Sequence, residues 1–178
     1  MIIENFTLKE FMRQKPELIE KYLIPLRYVN PIETKQEVYH MTLGEVENIK
    51  QTINSSSDED LIEILSQVQK CSKEEVLEFP IITFFGLLNS IRNQLKKIVT
   101  AEENALTPNK VNIKYEAVEG GKRMAKFGIY NTLESLSGGD ALKYKSYMEM
   151  SYSEIFTILY MRKTATDIQN EMDEIKTK

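Results

Sequence analysis

Apolar positions recur along most of this chain at the spacing of an α-helix. Leu8, Phe11 and Met12 follow an i, i+3, i+4 pattern after Thr7, and Leu18, Ile19, Tyr22 and Leu23 resume it beyond Pro16. Proline lacks a backbone donor, so a break or kink is expected just before Pro16. Each proline also disfavours helix in the residue before it, which predicts an extended run from Ile24-Pro25-Leu26 to Asn30-Pro31. The strongest stripe is Ile81, Phe84, Phe85, Leu88, Ile91, Leu95 and Ile98, with Pro80 suited to the first helical position. It keeps helical periodicity over about five turns and is expected to be the core element. Arg92, Lys96 and Lys97 then fall toward its C-terminal end, where cations are favoured.

Between these segments the sequence carries helix-start signals. Thr42-Leu43-Gly44-Glu45, Ser72-Lys73-Glu74-Glu75 and Ser151-Tyr152-Ser153-Glu154 read as capping boxes, in which hydroxyl and carboxylate each take an orphan amide. The first opens a helix with Val46, Ile49 and Ile53, ending at Asn54-Ser55-Ser56; the second opens a short one ending near Phe79. Ser57-Asp58-Glu59-Asp60 starts another, with acids placed to complement the helix dipole and a stripe of Leu61, Ile64, Leu65 and Val68.

The pattern changes after Thr107-Pro108-Asn109. Val111, Ile113 and Tyr115 alternate with Asn112, Lys114 and Glu116, which predicts a strand ended by the Gly120-Gly121 turn. A lone strand needs a partner, either the stretch of 37–41 around Val38 or a strand of another chain. Residues 122–137 then read as a helix loosened near Gly128, with Met124, Phe127, Leu133 and Leu136 apolar. Ser137-Gly138-Gly139-Asp140 is a helix stop followed by an N-cap, Ala141 to Met148 a short helix, and the last helix carries Ile155, Ile158, Leu159, Ile168, Met172 and Ile175. The expected fold is mainly α: a bundle-like arrangement around one continuous core, with one or two short strands at 111–116 and near 37–41. An N-terminal lobe, 1–106, and a C-terminal lobe, 107–178, divide it.

Composition agrees with a globular chain: 178 residues, 42% hydrophobic and 28% charged. One cysteine, Cys71, allows no internal disulfide and suggests a reducing compartment. The N-terminus, Met1-Ile2-Ile3-Glu4-Asn5-Phe6, lacks the pattern of a signal peptide, and the longest apolar stretch, Ile81 to Leu88, is too short for a bilayer, so neither secretion nor membrane insertion is expected. Charge is unevenly placed. Residues 31–79 hold eleven acids and four bases, a local −7, whereas 80–130 hold eight bases and four acids, a local +4. The two segments either neutralise each other within one chain or meet between subunits, where such complementarity sets orientation.

Reactive constellations are missing from the sequence. One histidine, His40, and Cys71 cannot make a zinc cage, and no Gly-x-Ser-x-Gly accompanies His40, so both are expected to be structural. Gly120-Gly121-Lys122-Arg123 is no phosphate loop, since Glu116 stands where a Walker loop needs glycine. Asp58, Glu59, Asp60 and Glu63 lack EF-hand spacing and read as a solvated helix start. Carboxylate catalysis through Glu102, Glu103 and Asp140 has no pair with an arguable geometry. Arg92, Lys96, Lys97, Lys110, Lys114, Lys122, Arg123 and Lys126, with Tyr115 for stacking, would be needed to face nucleic acid, but the isoelectric point near 5.3 argues against that partner. No catalytic, cofactor or metal residue is therefore assigned. Partner contact is assigned to the strand region: Val111, Ile113 and Tyr115, flanked by Lys110 and Lys114.

The C-terminal third, from Lys122 onward, resembles small proteins of tailed bacteriophages. The resemblance rests on Lys122 to Phe127, Asn131-Thr132-Leu133, Leu136-Ser137-Gly138-Gly139-Asp140, Lys143-Tyr144 and Ser153-Glu154-Ile155-Phe156. It implies a virion or tail-assembly role in tail, neck or baseplate, without catalysis, and a location in the virion after assembly in the host cytoplasm. Its partners would be other phage structural proteins and the chain itself, as a ring or other homo-oligomer. The strand 111–115 would add to a neighbour's sheet edge, and the acidic 31–79 segment would face the basic 80–130 segment of the next subunit. The alternative is a cytoplasmic adaptor or assembly chaperone that stays out of the particle.

Overall fold

The computed structural model describes residues 6–55, 57–110 and 112–176. It is mainly α, and its helices divide between two compact units: residues 1–41 with 48–97, and residues 42–47 with 98–178. The boundaries fall inside α3, Leu43–Thr52, and α6, Ile81–Leu106.

The first unit contains α1 (Leu8–Met12), α2 (Pro16–Leu26), α4 (Asp58–Gln69), α5 (Lys73–Leu77) and most of α6. Its core follows the expected α6 stripe and most of the α4 stripe; Leu61 is only half-buried while Ile62 is buried, Met12 of α1 is exposed, and α2 buries Leu26 rather than the expected Leu18, Ile19, Tyr22 and Leu23. Ile64, Leu65 and Val68 of α4 and Ile81, Phe84, Phe85, Leu88, Ile91 and Leu95 of α6 are buried. Thr7 caps α1 in a capping box with Glu10, and Ser72 caps α5 in one with Glu75. The amides of Leu8 and Ile81 donate to Phe79 and Phe6 (2.9 and 2.7 Å), joining the two helix starts at the Thr7–Pro80 bridge. Pro80 therefore stands one residue earlier than expected, its carbonyl accepting the Phe84 amide at 3.0 Å as an N-cap does.

Several elements differ from those the sequence predicts. The Ile24–Leu26 stretch is helical, not extended: Pro25 lies inside α2, giving up the hydrogen bond its amide would make to Lys21, and the Arg27 amide beyond it still reaches Leu23 (3.2 Å) and Ile24 (3.3 Å). Residues 29–34 form no regular element. Residues 38–40 form a 3-10 turn rather than a strand: the His40 amide reaches Glu37, and the Val38 amide donates to the Gln94 side chain at 2.8 Å, so no ladder partner is needed. The 111–116 strand is also overturned. Asn112 accepts the Tyr115 amide at 3.1 Å and caps helix α7, Ile113–Ala117. Val111 lies outside the described residues. Alternation over five residues is too short to exclude a helical turn once a capping asparagine precedes it. Among the described residues, β-structure is limited to the isolated bridges Thr7–Pro80 and Thr42–Ser151. Finally, Arg92, Lys96 and Lys97 are mid-helix residues, because α6 continues to Leu106.

The second unit contains α7, α8 (Gly120–Ala125), α9 (Ile129–Ser137), a 3-10 turn at Ala141–Lys143, α10 (Tyr144–Glu149) and α11 (Tyr152–Lys176). The expected 122–137 helix is two helices, broken at Gly128, whose positive φ of 51° suits glycine. Gly120 opens a helix rather than ending a strand, with the Tyr115 ring so close that a Cβ would clash with it. Gly138 ends α9 in the left-handed conformation, and Asp140 caps the following turn through the Leu142 amide, as the sequence indicates. Thr42 forms its expected capping box with Glu45; at Ser151 the hydroxyl oxygen accepts the Glu154 amide at 3.3 Å, but it is the Ser151 hydroxyl rather than its backbone amide that donates to the Glu154 carboxylate, at 2.9 Å. The Leu43 amide donates to Met150 at 2.8 Å beside them.

Candidate functional site

The second unit builds its small core from few side chains: Leu133 and Leu136 of α9, Tyr152 and Ile155 of α11, Leu43, Val46 and Ile98. Polar contacts hold the rest. Arg162 donates to the carbonyls of Ser135 (2.6 Å) and Leu136 (3.2 Å), placing a cation on the open C-terminal end of α9. The Tyr147 hydroxyl donates to the same Leu136 carbonyl at 2.9 Å.

Residues 107–116 and the second half of α11 enclose an open groove of about 780 Å³, bordered by Pro108, Lys110, Asn112, Tyr115, Thr166 and Asn170. One end is tied by the Lys110–Glu174 ion pair. The other is tied by Asn109, which donates to Asp167 at 3.0 Å and accepts from Lys163 at 2.9 Å. The distal half of α11 thus turns its polar side, Lys163, Asp167, Asn170 and Glu174, toward the 107–116 segment. Its apolar residues Met161, Ile168, Met172 and Ile175 are exposed.

Of the residues assigned to partner contact, Lys110 and Tyr115 meet on this groove. Ile113, 81% exposed, and Lys114 stand outside its lining. Lys110 is held by Glu174. Further large apolar side chains of the same unit that the sequence does not single out are also exposed: Val118, Met124, Phe127, Tyr130 and Leu142. Leu142 is 92% exposed, and the Lys126 ammonium lies 5.0 Å from the Phe127 ring centre. Met124 and Phe127 were legible as apolar, but helical spacing implied a buried face for them. The Gly128 break removes them from the register of Leu133 and Leu136.

No family model, curated protein or solved structure matches the chain.

The Tyr152 hydroxyl donates to Glu102 at 2.7 Å, and Asp140 caps a turn. The Tyr144 phenol is pushed above its ordinary value by its hydrogen bond to Glu134. In the first unit, His40 stands largely exposed beside Glu37, 3.7 Å away, with its ring edge-on to Tyr39. Cys71 lies just past the C-terminal end of α4, and burial raises its thiol pKa. Burial, reinforced by Arg27, lowers the Arg92 guanidinium. Among the described residues no group of three or more His, Cys, Asp or Glu could hold a metal ion, and no helix is long and apolar enough to cross a membrane.

Proposed function

We propose that the protein acts by binding other proteins through its second unit, as a non-enzymatic structural or assembly protein of a tailed bacteriophage. One asymmetry carries the reading. Among the described residues, the first unit buries nineteen hydrophobic side chains and exposes four large ones; the second buries seven and exposes thirteen. Exposed apolar surface on that scale is costly to keep in water and usually marks a contact surface. Ile113, Phe127, Tyr130 and Leu142 are the anchors such a surface would use; aromatic and aliphatic anchors supply most of the energy in protein interfaces. The phage assignment draws on the resemblance of the chain from Lys122 onward to tailed-phage proteins, an analogy that bears on context rather than chemistry. A cytoplasmic adaptor or chaperone uses the same surface without entering the particle.

An amber mutation early in the reading frame tests the proposal. Loss of complete particles, with the protein found by mass spectrometry in wild-type virions or in their assembly intermediates, is expected. Normal particle yield from the mutant contradicts the reading. Loss of particles with the protein absent from mature virions favours the chaperone alternative.

A further inference from the structure

Two arginines of the first unit, Arg27 and Arg92, are brought together by Asn89. Arg27 ends α2, and Arg92 lies in the middle of α6. The Asn89 amide nitrogen donates to the carbonyls of Arg27 (3.1 Å) and Val29 (2.8 Å), and its oxygen accepts from the Arg92 guanidinium at 3.3 Å. Asn89 thus satisfies the carbonyl left open where α2 ends, so Arg92 is not needed there. Nor does its own helix call for a cation at that point, because α6 runs on to Leu106. Among the described residues, the bond to Asn89 is the one hydrogen bond of the Arg92 guanidinium, that of Arg27 makes none, and neither joins an ion pair. Most donors of both forks therefore stay open. Lys96, one turn beyond Arg92 on the same side of α6, is exposed and likewise joins no ion pair among the described residues. Arg92 is half-buried. Lost hydration and the charge of Arg27 both disfavour its charged form, and no carboxylate offsets them.

We propose that Arg27 and Arg92 form a binding site for a phosphate group, with Lys96 at its edge. Like charges gathered at a partly buried place are unfavourable until an anion joins them. The number of forks selects the anion. One guanidinium fills the two oxygens of a carboxylate, whereas a phosphate has a further oxygen for a second guanidinium. Asn89 is the positioning residue: it ties one nitrogen of Arg92 to the backbone that carries Arg27, and leaves the other donors for the ligand. The basic bias of residues 80–130 then has a use within the chain, besides any contact with an acidic segment. All four residues belong to the first unit, whereas the proposed partner contacts belong to the second, so either reading can fail without the other.

Titration of the full chain with inorganic phosphate, followed by nitrogen–proton NMR at an ionic strength held constant with sodium chloride, tests the site. The Arg92 Nε–H and Asn89 side-chain amide signals should move along saturable curves. Arg92→Lys, which keeps the charge and loses the fork, and Arg27→Gln should each weaken binding by about tenfold or more, the worth of a charge-assisted hydrogen bond. Arg27 is exposed, so Arg27→Gln should leave the rest of the spectrum in place and remains informative even where Arg92→Lys disturbs the fold. A parallel titration with phenyl phosphate distinguishes the sources of the group: saturable binding tighter than that of the inorganic ion supports an esterified ligand, and weaker saturable binding supports the free ion. Linear shifts spread over the lysines, or equal shifts in chloride alone, overturn the site as general screening. Saturable binding unchanged by Arg27→Gln puts the anion elsewhere and also overturns it.

Discussion

Lys163 and Asp167, one turn apart on α11, form a 2.6 Å ion pair with side chains only 19% and 15% exposed, while Ile168, next along the chain, is half exposed. A helix ordinarily hides its isoleucines and shows its charges. Here Asn109 reverses the order by bonding both members of the pair. Asn109→Ala is expected to cost about 1 kcal/mol, the net worth of ordinary hydrogen bonds. Asp167→Ala should cost more, about 1–3 kcal/mol, because Lys163 stays covered without its partner. Removing both charges together should cost less than Asp167→Ala alone. Urea melts of the three variants check the ordering.

Gly86 on α6 carries a different constraint. Its carbonyl accepts the Ile32 amide at 3.0 Å, and a Cβ there would sit 2.6 Å from Ile32 Cδ1 and 3.0 Å from the Asn30 carbonyl oxygen. Alanine would gain about 1 kcal/mol of helix propensity, but overpacking costs about 1–3 kcal/mol, and a backbone oxygen yields less readily than a side chain. Gly86→Ala should therefore lower the urea midpoint with an unchanged m-value, and Gly86→Val should lower it further.

Glu63 and Lys73 lie 2.5 Å apart at the surface. The Lys73 hydrogen bond lowers the Glu63 carboxyl from its ordinary 4.5, and the Glu63 hydrogen bond raises the Lys73 ammonium from its ordinary 10.5. A lowered carboxyl stabilises the fold above 4.5 and loses that contribution as pH falls through its folded value. A raised ammonium stabilises below 10.5 and loses it as pH rises further. Glu63→Gln is thus expected to melt slightly below wild type at neutral pH, with the gap closing in strong acid. The effect is small because both groups are exposed to solvent. Paired thermal melts across pH read it.

Thr42 has a larger role in local structure. Its hydroxyl and amide both donate to Glu45 at 2.8 Å, and its hydroxyl oxygen accepts the Glu45 amide at 3.3 Å. Thr42→Ala should lose about 1 kcal/mol, and Thr42→Ser should retain most of it. Chemical denaturation distinguishes the two.

The α6 stripe was legible in the sequence because seven large apolar residues held one period, and burial of all seven follows from that spacing. The capping boxes were legible because their chemistry is local. Residues 113–117 were not, because Ile113 and Tyr115 satisfy a two-residue period as well as a single helical turn, and Asn112 decides between them. The candidate surface was legible only in part. Periodicity shows that Ile168, Met172 and Ile175 share a side of α11. Which way that side faces is set by Asn109, 58 positions from Asp167, through a contact that spacing cannot reveal. Phe127 and Leu142 likewise depend on the Gly128 and Gly138 breaks to leave the register of the buried residues.

On the proposed reading, the apolar groups exposed on the second unit serve contact rather than folding. The most direct measurement is the particle yield of an amber mutant complemented with a Phe127→Ser, Leu142→Ser chain, beside the melting curve of that purified chain. A melt within about 0.5 kcal/mol of wild type, as for exposed sites generally, and failure to restore particles are expected. Full restoration by a normally folded double variant would contradict it.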